Sequence, residues 1–91
     1  MDGDPPEQRH RLPHWAEYVR FAVMEQLIET KFSSANPDMV STLLATGDAL
    51  LIEGNYWHDN TWGSCFCTRV SCRRTGANAL GRILMKRRAQ L

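Results

Sequence analysis

The segment from Pro13 to Lys31 constrains the fold most, because its apolar residues recur at helical spacing on two different sides. One set consists of Trp15, Val19, Ala22, Val23 and Leu27, and the other of Phe21, Met24, Ile28 and Phe32. Proline is tolerated in the first turn of a helix, so Pro13 sets the expected start. A helix with two apolar faces needs partners on both. We therefore expect it to be central in a small domain, or to lack part of its native surroundings.

Two shorter helices are predicted further along the chain. The run Asn36-Pro37-Asp38 has the residue types of a helix start, with Asn36 as the cap. This helix should span about 37–45 and end at Gly47 in the left-handed conformation. A last helix should begin at Asn78, which can cap it, and end near residue 88.

The remaining segments complete a mainly α-helical α+β domain, with three helices, a short strand and a Trp/Cys-rich loop. Residues 1–12 are polar and rich in proline, and we expect a mobile arm there, with the domain over 13–91. The apolar run 49–53 indicates the strand, which Gly54-Asn55 should end. Residues 55–77 should form the loop and carry function, because binding and catalytic residues concentrate on loops.

Charge is distributed unevenly along a chain whose net charge is only +1. Residues 1–59 carry ten acids and four cations, whereas residues 60–91 carry seven cations and no acid. This asymmetry predicts a polyanionic partner, internal pairing of the two halves, or simply a solvated basic face. Arg73 and Arg74 in the loop are the candidates for binding substrate phosphates. The helical cations are expected on a solvated face: Arg82, Lys86 and Arg88.

The sequence carries no sign of a membrane protein or a secreted one. No apolar run approaches the ~20 residues that span a bilayer. The polar start MDGDPPEQRH lacks the basic and apolar regions of a signal peptide. We therefore expect a cytoplasmic protein with reduced thiols and no membrane partner.

The three cysteines follow a histidine in the pattern H-x6-C-x-C-x4-C, which comprises His58, Cys65, Cys67 and Cys72. Three thiolates and an imidazole can bind zinc tetrahedrally, and a metal would stabilise a long loop in a domain with a thin core. The pattern lacks the C-x2-C pair of a zinc ribbon, so three partly buried thiols are an open alternative. A further alternative makes His58 a general acid beside Asp59.

Three stretches of the chain carry a family resemblance. They are HWAEYVRFAVMEQLIETKFS from His14 to Ser33, LLATGDALLIEGNYWHDNTWG from Leu43 to Gly63, and GANALGRILM from Gly76 to Met85. In order and spacing they resemble the C-terminal portion of the NADAR (YbiA-like) domain, and the resemblance covers roughly residues 13–91. As a set these motifs are specific, although each one is weak.

The resemblance implies hydrolysis of an N-glycosidic bond to an ADP-ribosyl or phosphoribosyl group. Examples are ADP-ribosylated guanine, free or in nucleic acid, and ribosylated intermediates of riboflavin synthesis. It implies a site containing Trp15, Asp59 as the catalytic carboxylate, and Trp62, with Asn78 nearby. It implies an ADP-ribose-like or nucleotide substrate and no NAD cofactor, which leaves zinc as the one candidate cofactor.

One departure from the family pattern affects the expected activity. The family's N-terminal motif, aromatic-Pro-Thr/Ser-x-Glu-His, has no counterpart here, and its Glu is the residue thought catalytic. The resemblance thus implies a truncated domain. Three alternatives follow: the domain is inactive, it uses another acid, or it works with a partner chain that supplies the missing segment. The alternative function is a non-catalytic module that binds ADP-ribose or nucleic acid.

The loop residues also have structural interpretations. Asp59 has the residue type of a turn aspartate that bonds its own backbone, and residue type alone favours that role. Trp57 and Trp62 can stack on nucleobases or sugars, or fill the core of a small domain.

Overall fold

The computed structural model describes residues 6–72 and 76–91, where three helices and a two-stranded sheet surround one small core. The helices are α1 (Pro6–Lys31), α2 (Pro37–Ala45) and α3 (Ala79–Gln90). The strands are β1 (Gly54–Asn55) and β2 (Ser64–Cys65), and a 3₁₀ turn spans Val70–Cys72. The mainly helical α+β class predicted from the sequence is thus confirmed, and α2 has its predicted bounds.

Helix α1 begins at Pro6 rather than at the predicted Pro13. Residues 6–12, expected in a mobile arm, therefore form its first turns, while residues 1–5 of that arm lie outside the described residues. Pro6 suits the first helical position for the same reason as Pro13. The residues between the two prolines are mostly good helix formers, which the search for apolar periodicity did not weigh.

The core lies where the three helices meet. Its buried residues are Ile28 from α1, Phe32 directly after α1, and Leu43 from α2. Six partly buried apolar side chains pack against them: Met24, Met39, Leu51, Leu80, Ile83 and Leu84. The apolar face of α1 that contains Ile28 therefore packs inward. The other face leaves Leu27 58% exposed, so only one of the two faces has a partner within the described residues.

Residues 49–53, predicted to form a strand, do not form one, although the Glu53 carbonyl accepts from the Ser64 N–H of β2 at 2.8 Å. Side chains of the α3 region bind their backbone instead. The Asn78 amide donates to the Leu51 carbonyl at 2.8 Å and accepts from the Glu53 N–H at 2.9 Å. The strand pairing begins only at Gly54, where the sequence had predicted its end. The strand prediction for this apolar run was therefore wrong, because its main hydrogen-bond partner is the side chain of Asn78, far along the chain.

The helix ends differ from the predicted caps. Asn36 and Asn78 occupy the N-cap positions of α2 and α3, but neither side chain makes a capping hydrogen bond. Asn36 instead donates to the Thr30 carbonyl at 3.3 Å, back toward α1. Gly47 does adopt the predicted left-handed conformation, with φ of 63°.

Basic side chains of α3 bind groups of the two preceding helices. Lys86 forms an ion pair with Glu25, and Arg87 Nε donates to the Phe32 carbonyl at 2.8 Å. Arg88 donates to the Thr46 hydroxyl at 2.7 Å, so it is half-buried rather than on the expected solvated face. The basic half of the chain is thus partly paired with the acidic half. No described helix combines the length and apolar character needed to cross a membrane.

Candidate functional site

The loop between β1 and β2 is closed by side-chain hydrogen bonds to its own backbone. The strands are parallel, so between Asn55 and Ser64 the chain must return to the starting end of β1, in fewer than the dozen residues usual for parallel strands. Asn55 is 1% exposed. Its amide donates to the Asp59 carbonyl at 2.8 Å and accepts from the Asp59 N–H at 3.1 Å. These two bonds close the tight part of the loop.

Asp59, the candidate catalytic acid, also organises the loop. Its Oδ1 accepts from the N–H groups of Thr61 at 3.0 Å and Trp62 at 2.9 Å. This is the turn geometry that aspartate favours, so the structural interpretation of the residue is satisfied. The second oxygen, Oδ2, has no hydrogen bond to the described residues. One oxygen therefore shapes the loop while the other is available to a ligand.

The three candidate tryptophans are in different settings. Trp62 is half-buried and meets Phe21 of α1 edge to face, with ring centroids 5.0 Å apart. Trp57 is 67% exposed, so its ring faces are accessible. Trp15 belongs to α1, but its side chain lies outside the described part of the structure. Trp57 is thus the described tryptophan that a base could stack on without displacing core contacts.

Asn78 has a structural role in addition to the one implied by the resemblance. It adopts a left-handed conformation, with φ of 54°, and its amide bridges Leu51 and Glu53. It also lines an open cleft of about 180 Å³ together with residues including Ser64 and Arg82. Neither Asp59 nor Trp62 is among the described residues lining that cleft. Asn78 therefore lines a cleft to which Asp59 does not contribute.

The phosphate-binding candidates, Arg73 and Arg74, lie outside the described residues. Arg69, which precedes them, is exposed. Three exposed aromatic side chains, Tyr56, Trp57 and Phe66, are carried by the same loop region. An exposed surface that combines aromatic rings with cations suits ligands that contain both bases and phosphates.

The histidine and the three cysteines converge on one point. Nδ1 of His58 lies 3.7 Å from the sulfur of Cys65, 3.4 Å from that of Cys67 and 3.4 Å from that of Cys72. All four ligand atoms lie within 4.8 Å of one another. The cysteines are free thiols, of which Cys65 and Cys72 are buried. The structure therefore brings together all four residues of the sequence pattern, an arrangement able to bind a metal ion.

The thiols of this cluster influence one another. Burial raises the pKa of Cys65, but hydrogen bonds with Cys67 and His58 outweigh it and lower this pKa to about 6. Burial raises the pKa of Cys72, and the neighbouring Cys67 and Cys65 raise it further. Thiolates this close repel one another, and a bound cation would neutralise the negative charge of several of them at once.

Sequence reasoning missed two residues that build the site. Asn55 was taken as a turn signal, although it is the most buried polar residue described. Asn60 accepts from the Cys65 N–H through Oδ1 at 2.8 Å, which fixes the backbone at a cluster cysteine. The available signal was the density of asparagine in the loop, since asparagine replaces backbone partners in irregular segments.

The fold and the loop define a small, mainly helical α+β domain whose polar and thiol groups converge beside the start of its last helix. A family model, the NADAR domain, matches residues 6–91. The chain therefore belongs to the NADAR domain family. No curated protein and no solved structure matches the chain significantly.

Proposed function

We propose that the chain takes part in hydrolysis of an N-glycosidic bond to an ADP-ribosyl or phosphoribosyl group. The observation that carries this proposal is the family match over residues 6–91, because NADAR domains are associated with that chemistry. Within the matched region, Asp59 is the carboxylate placed best to act, with one oxygen fixed by two N–H groups and the other available.

The proposed step is a displacement at the anomeric carbon of the ribose. As the bond to the base nitrogen breaks, its electron pair goes to the base and positive charge develops on the sugar ring. Asp59 Oδ2 stabilises that charge or accepts a proton from the attacking water. The water oxygen bonds to the anomeric carbon and its proton finally goes to the base. Water is the only co-substrate required.

The substrate would be oriented by groups on the loop surface. The exposed ring of Trp57 can stack on the base, a contact worth about 1–3 kcal/mol. Arginines such as Arg73 and Arg74 would bind the pyrophosphate, to which guanidinium groups can donate in pairs. Trp62 would support the loop through its contact with Phe21 rather than stack on the substrate.

The test uses a DNA oligonucleotide carrying ADP-ribose on a guanine base, with released ADP-ribose measured by mass spectrometry. Asp59→Asn is the informative variant, because its amide oxygen can still accept the two loop N–H bonds while the charge is removed. We expect release by the wild-type chain and a rate at least about 100-fold lower in the variant. Asp48→Asn removes an exposed carboxylate from the turn after α2 and should leave the rate unchanged.

Equal rates for the wild type and Asp59→Asn would refute a catalytic role for Asp59. Circular dichroism of each variant establishes that it is folded, so that a loss of rate is not a loss of structure. Asp59→Ala, which cannot make the loop bonds, separates the structural role from the chemical one.

A second candidate function is supported by the use of Asp59 in the loop and by the exposed rings of Tyr56, Trp57 and Phe66. In this alternative the chain binds ADP-ribose or a nucleotide without cleaving it. Titration calorimetry with ADP-ribose separates the two functions. Binding by a folded chain that releases no ADP-ribose from the oligonucleotide would establish the second function in place of the first.

A further inference from the structure

We infer that His58, Cys65, Cys67 and Cys72 form a structural zinc site that fixes the loop between β1 and α3. The inference goes beyond the proposed hydrolysis and does not depend on it. It rests on the positions of four side chains and on their coordination chemistry, so the loss of either proposal leaves the other intact.

The separations between ligand atoms fit a tetrahedral ion. With Zn–S bonds of about 2.3 Å and a Zn–N bond of about 2.0 Å, tetrahedral geometry separates nitrogen from sulfur by roughly 3.5 Å. The three observed distances from His58 Nδ1 to the sulfurs are 3.7, 3.4 and 3.4 Å. All four atoms also lie within 4.8 Å of one another, so one ion can contact them all.

Hydrogen bonding alone does not account for this convergence. A neutral imidazole nitrogen carries either one N–H or one in-plane lone pair, so Nδ1 of His58 can make one good hydrogen bond. Three sulfurs nevertheless surround it at similar distances. Thiols are weak hydrogen-bonding groups and would gain little from such crowding. A central cation gives each of the four ligands its own bond.

The backbone around the cluster is arranged to present the ligands. His58 has a φ of 69°, in the left-handed region that is uncommon for residues other than glycine. The bonds between Asn55 and Asp59 enclose it and maintain this conformation. On the opposite side, Asn60 fixes the N–H of Cys65 on β2. Cys67 lies in the bend after β2 and Cys72 in the 3₁₀ turn, so the four ligands come from four local structures.

The ligand set identifies the metal and its role. Three thiolates and one imidazole in a tetrahedral arrangement suit zinc, whereas calcium and magnesium require oxygen ligands. Four protein ligands fill a tetrahedral zinc ion and leave no position for water or substrate. Such an ion stabilises structure and does not itself perform catalysis. Here it would cross-link the loop through His58, one residue before Asp59.

The first test measures metal in the full chain, purified under reducing conditions without chelator. Elemental analysis should find about one zinc per chain, and X-ray absorption at the zinc edge should find three sulfur neighbours and one nitrogen. Cobalt replacing zinc should give the strong visible absorption of a tetrahedral thiolate complex. Octahedral coordination, or a shell of oxygen neighbours, would overturn the inference.

The second test assigns the ligands. His58→Ala and Cys72→Ser should each weaken zinc binding by more than the ~10–100-fold that loss of an outer-shell partner costs. His10→Ala, a change to a histidine near the start of α1, should bind zinc as the wild type does. If His58→Ala and Cys72→Ser retained wild-type affinity, the ligand assignment would be overturned.

The site can also be tested in the wild-type chain alone, so the test does not depend on whether the variants fold. Removing zinc with a strong chelator should lower the melting temperature, and adding one equivalent back should restore it. A wild-type chain with three titratable thiols that neither contains zinc nor takes it up would refute the site.

Discussion

Phe21 on α1 and Trp62 in the loop meet edge to face, with ring planes inclined by 75°. This contact joins the longest helix to the loop that carries Asp59. Trp62 is also held by its backbone N–H, which donates to the Asp59 carboxylate. The position implied by the family resemblance as part of the substrate site is thus also where the loop attaches to the helical core.

The ring contact can be measured as a coupling energy. We expect Trp62→Leu and Phe21→Leu each to destabilise the domain, since each removes part of a partly buried aromatic side chain. The double variant should be less destabilised than the sum of the two by about 0.5–1.5 kcal/mol, the range for an aromatic pair. Urea denaturation of all four proteins in the presence of zinc gives this number. A coupling of zero would mean that the rings pack independently.

Asn55→Ala should be among the most destabilising polar substitutions in the chain. It removes two hydrogen bonds from a side chain that is 1% exposed and leaves both backbone groups of Asp59 without their partner. The expected loss is about 2–4 kcal/mol, because unsatisfied buried groups cost about 1–3 kcal/mol each. Thermal and urea denaturation measure it. Asn36→Ala is the matched control, since Asn36 is exposed and its amide makes one long bond, and a comparable loss there would contradict this account.

Asn78→Ala tests the bridge between α3 and the segment 49–53. The substitution removes both amide bonds, to Leu51 and Glu53, and places alanine at a φ of 54°. We expect a loss of about 2–4 kcal/mol from the bonds and the strain together. Asn78→Gly relieves the strain but not the loss of bonds, so it should recover about 1 kcal/mol of that stability. Equal stability of the alanine and glycine variants would show that the left-handed conformation contributes nothing.

Gly81→Ala should destabilise the domain although alanine is the better helix former. A Cβ at position 81 would overlap the Leu51 carbonyl oxygen and the Asn78 amide, so α3 would have to move away from the segment 49–53. Overpacking of this kind costs about 1–3 kcal/mol, more than the ~1 kcal/mol of helix propensity gained. Ser41→Ala, at an exposed position of α2, should be neutral or slightly stabilising. Melting temperatures measure both effects, and a Gly81→Ala variant that melts no lower than the wild type would contradict this packing.

Local sequence signals predicted the helices well and the irregular segments poorly. Proline at the first position and glycine after the end defined α2 within its nine residues, since both act through backbone geometry alone. The run 49–53 was misassigned because its partner is the side chain of Asn78, more than twenty residues away. No local pattern contains that information.

The candidate site was predictable to a similar extent. The spacing of His58 and the cysteines named a ligand set, and the structure shows that these four side chains converge. The spacing did not show how the four side chains are brought together, because Asn55 and Asn60 fix the backbone around the ligands. For Asp59, residue type indicated a turn and the resemblance indicated catalysis. The carboxylate makes the turn bonds, and its catalytic role stays a prediction.

The short connection between β1 and β2 has a consequence for the order of folding. Side-chain bonds of the loop join residues 2 to 14 positions apart, from Asp59 with Thr61 to His58 with Cys72. Contacts of α3 with the other helices join residues 42 to 61 positions apart. Because closing a short stretch of chain costs less entropy than closing a long one, the loop that carries His58 and the cysteines should form first and act as the nucleus on which the helices assemble. Zinc bound at the proposed site would then accelerate folding as well as slow unfolding. The helices would pack onto a loop that is already formed.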